Sequence, residues 1–158
     1  CHSAHALEVN VQECSDCHTN VTSMADLRAL RLNTQGDFDG DGDETEGLAG
    51  EVETMMEKLY AAILEYASTK AGAPIVYDPY AYPYYFNDTN ANGAVDPGEA
   101  AFPNAYKSWT PTLLRAAYNY QWAQKDPGAY AHNARYILQV LYDSIQAVGG
   151  SVSGMKRP

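Results

Sequence analysis

The sequence of 158 residues has no apolar run approaching the roughly 18 residues that a membrane-spanning helix requires, so no transmembrane segment is expected. Positive charge is scarce. Ten Lys and Arg stand against twenty Asp and Glu, a net charge of −10. That balance argues against nucleic acid and anionic membrane surfaces as partners. There is no Gly-rich phosphate loop, no Ser-His-Asp constellation and no basic patch interleaved with aromatics, so nothing points to nucleotide, serine-hydrolase or RNA chemistry. Cysteine is limited to three residues and histidine to four. The apolar fraction, 46%, is ordinary, so one ordered domain with a core is expected and disorder is not.

The scarce residues are concentrated. Cys14-Ser15-Asp16-Cys17-His18 is a C-x-x-C-H pattern, the spacing at which two thiols add to the vinyl groups of one haem. The adjacent His18 then offers its imidazole to the iron as proximal ligand. A structural zinc site, a disulfide or coincidence are the alternatives, and zinc would need further ligands elsewhere. Cys1 is followed at once by His2, like the last two residues of a second such motif. A second haem on Cys1 and His2 is therefore expected, against an acylated Cys1 or a free thiol. His5 and His132 are the remaining histidines and the candidate distal ligands, with His5 assigned to the Cys14–Cys17 haem and His132 to the other. The swapped assignment and purely structural roles stay open. Thioether attachment takes place outside the cytoplasm, so a processed periplasmic or extracellular chain is expected.

Much of the negative charge also falls in one place. Asp37, Asp39, Asp41 and Asp43 occupy alternate positions with Gly42 between the last two, the front half of a calcium loop. Leu48 stands where the closing Glu belongs, and Glu46 is the substitute available within residues 37–48. Residues 88–99 form a full calcium loop: Asp88, Asn90 and Asn92 donate side-chain oxygens and Ala94 its carbonyl. Gly93 makes the turn, and Asp96 and Glu99 complete the set. No entering helix precedes Asp88, so a structural clip is expected and not a sensor that opens a helix pair.

The remaining pattern is helical. Short apolar spacing predicts a helix from Thr22 to Arg31, and a long stripe (Leu48, Val52, Met55, Leu59, Ile63, Tyr66) predicts one from Leu48 to about Lys70. Met55 and Met56 read as packing residues there, not haem ligands. Residues 71–86 combine three prolines with six aromatics and predict an ordered loop. Thr110-Pro111 opens a helix with Leu113, Leu114, Ala117, Tyr118 and Trp122 on its buried side, and Asn133 caps another that ends at Gly149-Gly150. Residues 1–150 thus form one mainly α domain, with residues 1–20 as haem-attachment segment, and Ser151 to Pro158 form a flexible tail.

Together these segments resemble the C-terminal region of bacterial or archaeal multihaem c-type cytochromes. The likeness is carried by Cys1-His2-Ser-Ala-His5, Cys14-Ser-Asp-Cys17-His18, the acidic loop, the Tyr-rich stretch, and the segments Lys125 to Asn133 and Tyr136 to Ile145. It implies a helical fold with long ordered loops pinned by haem and calcium, and bis-histidine haems that pass electrons outside the cytoplasm. Other haem domains or redox proteins are the implied partners, with a homo-oligomer or filament as an extension. A redox enzyme with an open iron site and a haem-free, calcium-stabilised binding module are the rival functions.

Overall fold

Two short helices lead into the body. The computed structural model describes residues 2–31 and 36–158; the haem expected on Cys1 therefore lies outside the described residues. α1 covers Val11–Ser15 and α2 covers Met24–Arg28, and neither buries a side chain. α2 is shorter than its apolar spacing predicts, and it is held by a capping box. The Ser23 hydroxyl accepts the Asp26 N–H, while the Asp26 carboxylate accepts the Ser23 N–H at 2.9 Å. The Thr22 N–H also donates to Asp26 and, with the Ser23 and Thr22 hydroxyls, holds its carboxyl below the ordinary range.

α3, Leu48–Thr69, is the axis of the molecule, and its length follows the predicted stripe. Leu48, Val52, Met55, Leu59 and Ile63 are buried along it. Full burial of each large one contributes about 1.5–3 kcal/mol. Its start is fixed by a close approach. A Cβ on Gly47 would stand 2.1 Å from the Arg28 carbonyl, so only glycine lets the end of α2 lie against the start of α3. The Leu48 N–H then donates to the Leu30 carbonyl at 3.0 Å.

The proline- and tyrosine-rich segment, expected to be an ordered loop without regular structure, contains a short β-hairpin. β1 (Ile75–Tyr77) pairs antiparallel with β2 (Tyr85–Asn87) in the register Ile75↔Asn87, Val76↔Phe86, Tyr77↔Tyr85. Each strand has three residues, too few for alternation to register as a period. α4 (Pro111–Lys125) and α5 (Ala129–Ala147) complete the body, and both pack on α3. The Thr110 hydroxyl accepts the Leu113 N–H at 3.1 Å, the expected cap.

α4 is turned relative to the sequence-based expectation. Leu113, Ala116, Ala117, Tyr120 and Ala123 are buried, whereas Leu114 and Tyr118 face solvent. The cause is an aromatic cluster that outranks the aliphatic pattern. Tyr120 stacks on Tyr60 at 5.0 Å and meets the Tyr77 edge at 5.4 Å, and Tyr77 lies 4.9 Å from Tyr85. Buried Tyr85 donates its hydroxyl to the Ala117 carbonyl at 2.7 Å. Burial pushes the Tyr85 hydroxyl far above its ordinary range and that of Tyr120 up to about 12, so both stay neutral.

The C-terminal residues dock where a fraying tail was expected. The Lys156 N–H donates to the Asp37 carbonyl at 2.7 Å, and Met155 lies over Gly40. Arg157 pairs with Asp143 through two bonds of 2.7 and 2.9 Å. No helix among the described residues is long and apolar enough to cross a membrane.

Candidate functional site

From His2 to Asn20 no side chain is buried; Val21 is the first that is. His2 bridges Val9 in antiparallel fashion, and the Ser3 N–H donates to the Glu8 carbonyl at 3.0 Å, so His2 and His5 sit on a tight turn ahead of α1. Cys14 lies in the last turn of α1. Its carbonyl accepts the N–H of His18 at 2.9 Å and that of Cys17 at 3.3 Å, so all three residues share one turn. Both thiols are unpaired, Cys14 half-buried and Cys17 exposed, and the His18 ring is exposed. These residues fit thioether attachment of a haem: two free thiols and an imidazole on one turn, in a segment without an apolar core of its own.

His132 lies near the start of α5, and none of its described hydrogen bonds reaches this turn. Its Nδ1 lies 3.0 Å from Asp126 Oδ1, across the α4–α5 junction, and its ring covers Gly128. Asn133, the next residue, has extended backbone (φ −159°, ψ 75°) and its side chain accepts the Tyr136 N–H at 3.3 Å. α5 is thus kinked at Asn133, which caps the longer helical segment that follows it, as expected. A cleft of about 600 Å³ opens beside the junction, lined by Arg28, Val52, Met56, Tyr120, Asp126 and Tyr130 among others. Met55 is fully buried and Met56 faces this cleft from α3.

The two acidic loops share one backbone plan. Asp37 accepts N–H groups from Gly40, Asp41 and Gly42, and Asp88 accepts those of Asn92 and Gly93. Gly40 and Ala91 have left-handed backbone at the fourth position, and Gly42 and Gly93 at the sixth. Side chains at alternate positions then accept the N–H two residues on: Asp39 from Asp41, Asp41 from Asp43 and Asn90 from Asn92.

In the first loop the carboxylates converge. Ligating atoms of Asp37, Asp39 and Glu51 lie within 4.8 Å of one another, as do those of Asp39, Asp41 and Glu46. Asp39 and Glu51 have no exposed surface. Burial, then the charges of Asp39, Glu51, Asp41 and Asp43, push the Glu46 carboxyl up to about 7. Arg31 pairs with Glu51 at 2.6 Å. Asp43 turns instead to Thr45, accepting its N–H and hydroxyl at 2.7 and 2.6 Å. Glu51 is the residue that sequence reading missed. Its signal was present: it falls between Leu48 and Val52 on the apolar face of α3, where a carboxylate needs a reason.

In the second loop the carboxylates do not meet this convergence among the described residues. Glu99 accepts the Thr89 N–H at 2.8 Å, its hydroxyl at 2.6 Å and the Asp96 N–H at 3.1 Å. Asp96 Oδ2 accepts from the amides of Asn90 and Asn92 at 2.6 and 2.8 Å.

No protein-family model matches this chain, and no solved structure matches it. Curated relatives do. The C-type polyheme cytochrome OmcB of Geobacter sulfurreducens is 37% identical over 110 residues, 64% of this chain and 15% of that protein. OmcC, a C-type polyheme cytochrome of the same organism, is 38% identical over 112 residues, 65% of this chain and 14% of its own length. This chain therefore spans about 15% of the length of the relatives it matches. It is similar to a region of multihaem c-type cytochromes, as its motifs imply.

Proposed function

We propose that the chain is an electron-carrying region of a multihaem c-type cytochrome, and not an enzyme. The observation that carries this reading is the turn bearing Cys14, Cys17 and His18 in a chain similar to named polyheme cytochromes. Covalently bound haem supplies one-electron chemistry at its iron. The chain's own residues hold and orient it. Cys14 and Cys17 would hold the haem through thioether bonds, and His18 would supply an imidazole to its iron.

In this reading each iron would be held by two histidines, His5 serving the Cys14–Cys17 haem and His132 a second haem on Cys1 and His2. His132 is supported by Asp126, since a ligating imidazole commonly gives its other ring N–H to a carboxylate. Residues 37–48 and 88–99 serve as calcium clips. Other haem domains and redox proteins are the partners, and the setting is periplasmic or extracellular. The acidic surface suits a basic redox partner.

Expression with a haem-attachment system, followed by an intact mass and a visible spectrum, tests this reading. The expected result is a Soret band and one haem mass lost on Cys14→Ala/Cys17→Ala; a second haem mass lost on Cys1→Ala marks the second site. Colourless protein of apo mass overturns the reading. Carbon monoxide binding by the reduced protein would replace bis-histidine ligation with an open iron site. His132→Met should alter the spectrum of one haem, and an unchanged spectrum removes His132 from the ligand set.

A further inference from the structure

We propose that Glu51 is the closing carboxylate of a divalent-cation site formed with Asp37 and Asp39, an inference that rests on reading residues 37–48 as a cation loop. Asp39 has no exposed surface and its Oδ2 has no hydrogen-bond partner. A buried, unpartnered carboxylate oxygen is costly unless something positive meets it. That oxygen belongs to a side chain whose ligating atom lies within 4.8 Å of those of Asp37 and Glu51. Lys58 bonds the Asp39 backbone carbonyl at 2.5 Å and Arg31 pairs with Glu51, so neither bond satisfies Asp39 Oδ2.

The second loop identifies the part Glu51 plays. There Glu99, twelfth in its loop, accepts the N–H of the second residue, Thr89, at 2.8 Å. Glu51 accepts the N–H of the second residue of the first loop, Phe38, at 2.8 Å, and that of Asp39 at 2.8 Å. Glu51 thus stands where a closing glutamate stands, although it comes three residues later in the chain, from the first turn of α3. An all-oxygen donor set on a tightly turned loop suits calcium, which takes six to eight oxygens in irregular geometry. The cation would tie the loop directly to the central helix.

The test is a calcium titration of the full chain, stripped of metal, in a Glu99→Gln background that silences the second loop. Glu51→Gln should weaken binding at least about tenfold while the far-ultraviolet circular dichroism is kept. Loss on Asp41→Asn and Glu46→Gln but not on Glu51→Gln overturns the proposal and leaves the cation loop standing. A background chain that binds no calcium overturns both. If Glu51→Gln fails to fold, crystals of the wild-type chain grown with calcium decide. A Glu51 oxygen within about 2.6 Å of the ion supports the proposal, and an ion bound without it overturns it.

Discussion

Single atoms at two places decide how this chain holds together. Tyr85 is buried in the aromatic cluster and gives its one proton to the Ala117 carbonyl. Tyr85→Phe keeps the ring and removes that bond, so it should lower unfolding free energy by about 1 kcal/mol, read from denaturant midpoints at unchanged slope. Gly47 is the other place. Gly47→Ala puts a methyl 2.1 Å from the Arg28 carbonyl and 2.5 Å from Ala29 Cα. Both are backbone atoms and cannot swing away, so a cost of about 1–3 kcal/mol and a lower melting temperature are expected. At this scale the Cys14-x-x-Cys17-His18 pattern was legible because it is contiguous in the chain. Glu51 was not, because its partners Phe38 and Asp39 lie in a different segment and only the fold joins them.

Among the elements, the helices that were legible are those with long stripes or explicit caps. α3 begins and ends within a residue of its expected limits, and α4 starts on Thr110 and Pro111 as the cap requires. The burial phase of α4 was not legible, since it depends on Tyr120 finding Tyr60 and Tyr77 across the body. The hairpin was hidden by its three-residue strands. The C-terminal segment yields a pH prediction. Arg157 donates two bonds to Asp143 and holds its carboxyl below the ordinary range. An acid whose folded value is depressed contributes stability above its unfolded value, near 3.8, and loses it as pH falls through the folded value. Protection of the amides of residues 151–157, corrected for the intrinsic exchange rate at each pH, should therefore fall on acidification below about pH 4, and Asp143→Asn should remove that pH dependence. Both groups lie near the surface, so the effect on global stability is small.

Over the whole molecule, the mainly α character follows from the patterned helices, and the likeness to multihaem cytochromes follows from the motif and its companions. The lack of buried side chains among the described residues ahead of Val21 was not readable, because periodicity says nothing of which segments remain unburied. That exposure bears on biogenesis. No described side chain before Val21 enters the core, and the Cys17 thiol stays open to solvent while α3, α4 and α5 are packed. Under the proposed attachment of haem, a packed body would leave the Cys17 thiol accessible to the reaction and would not need to reopen for it.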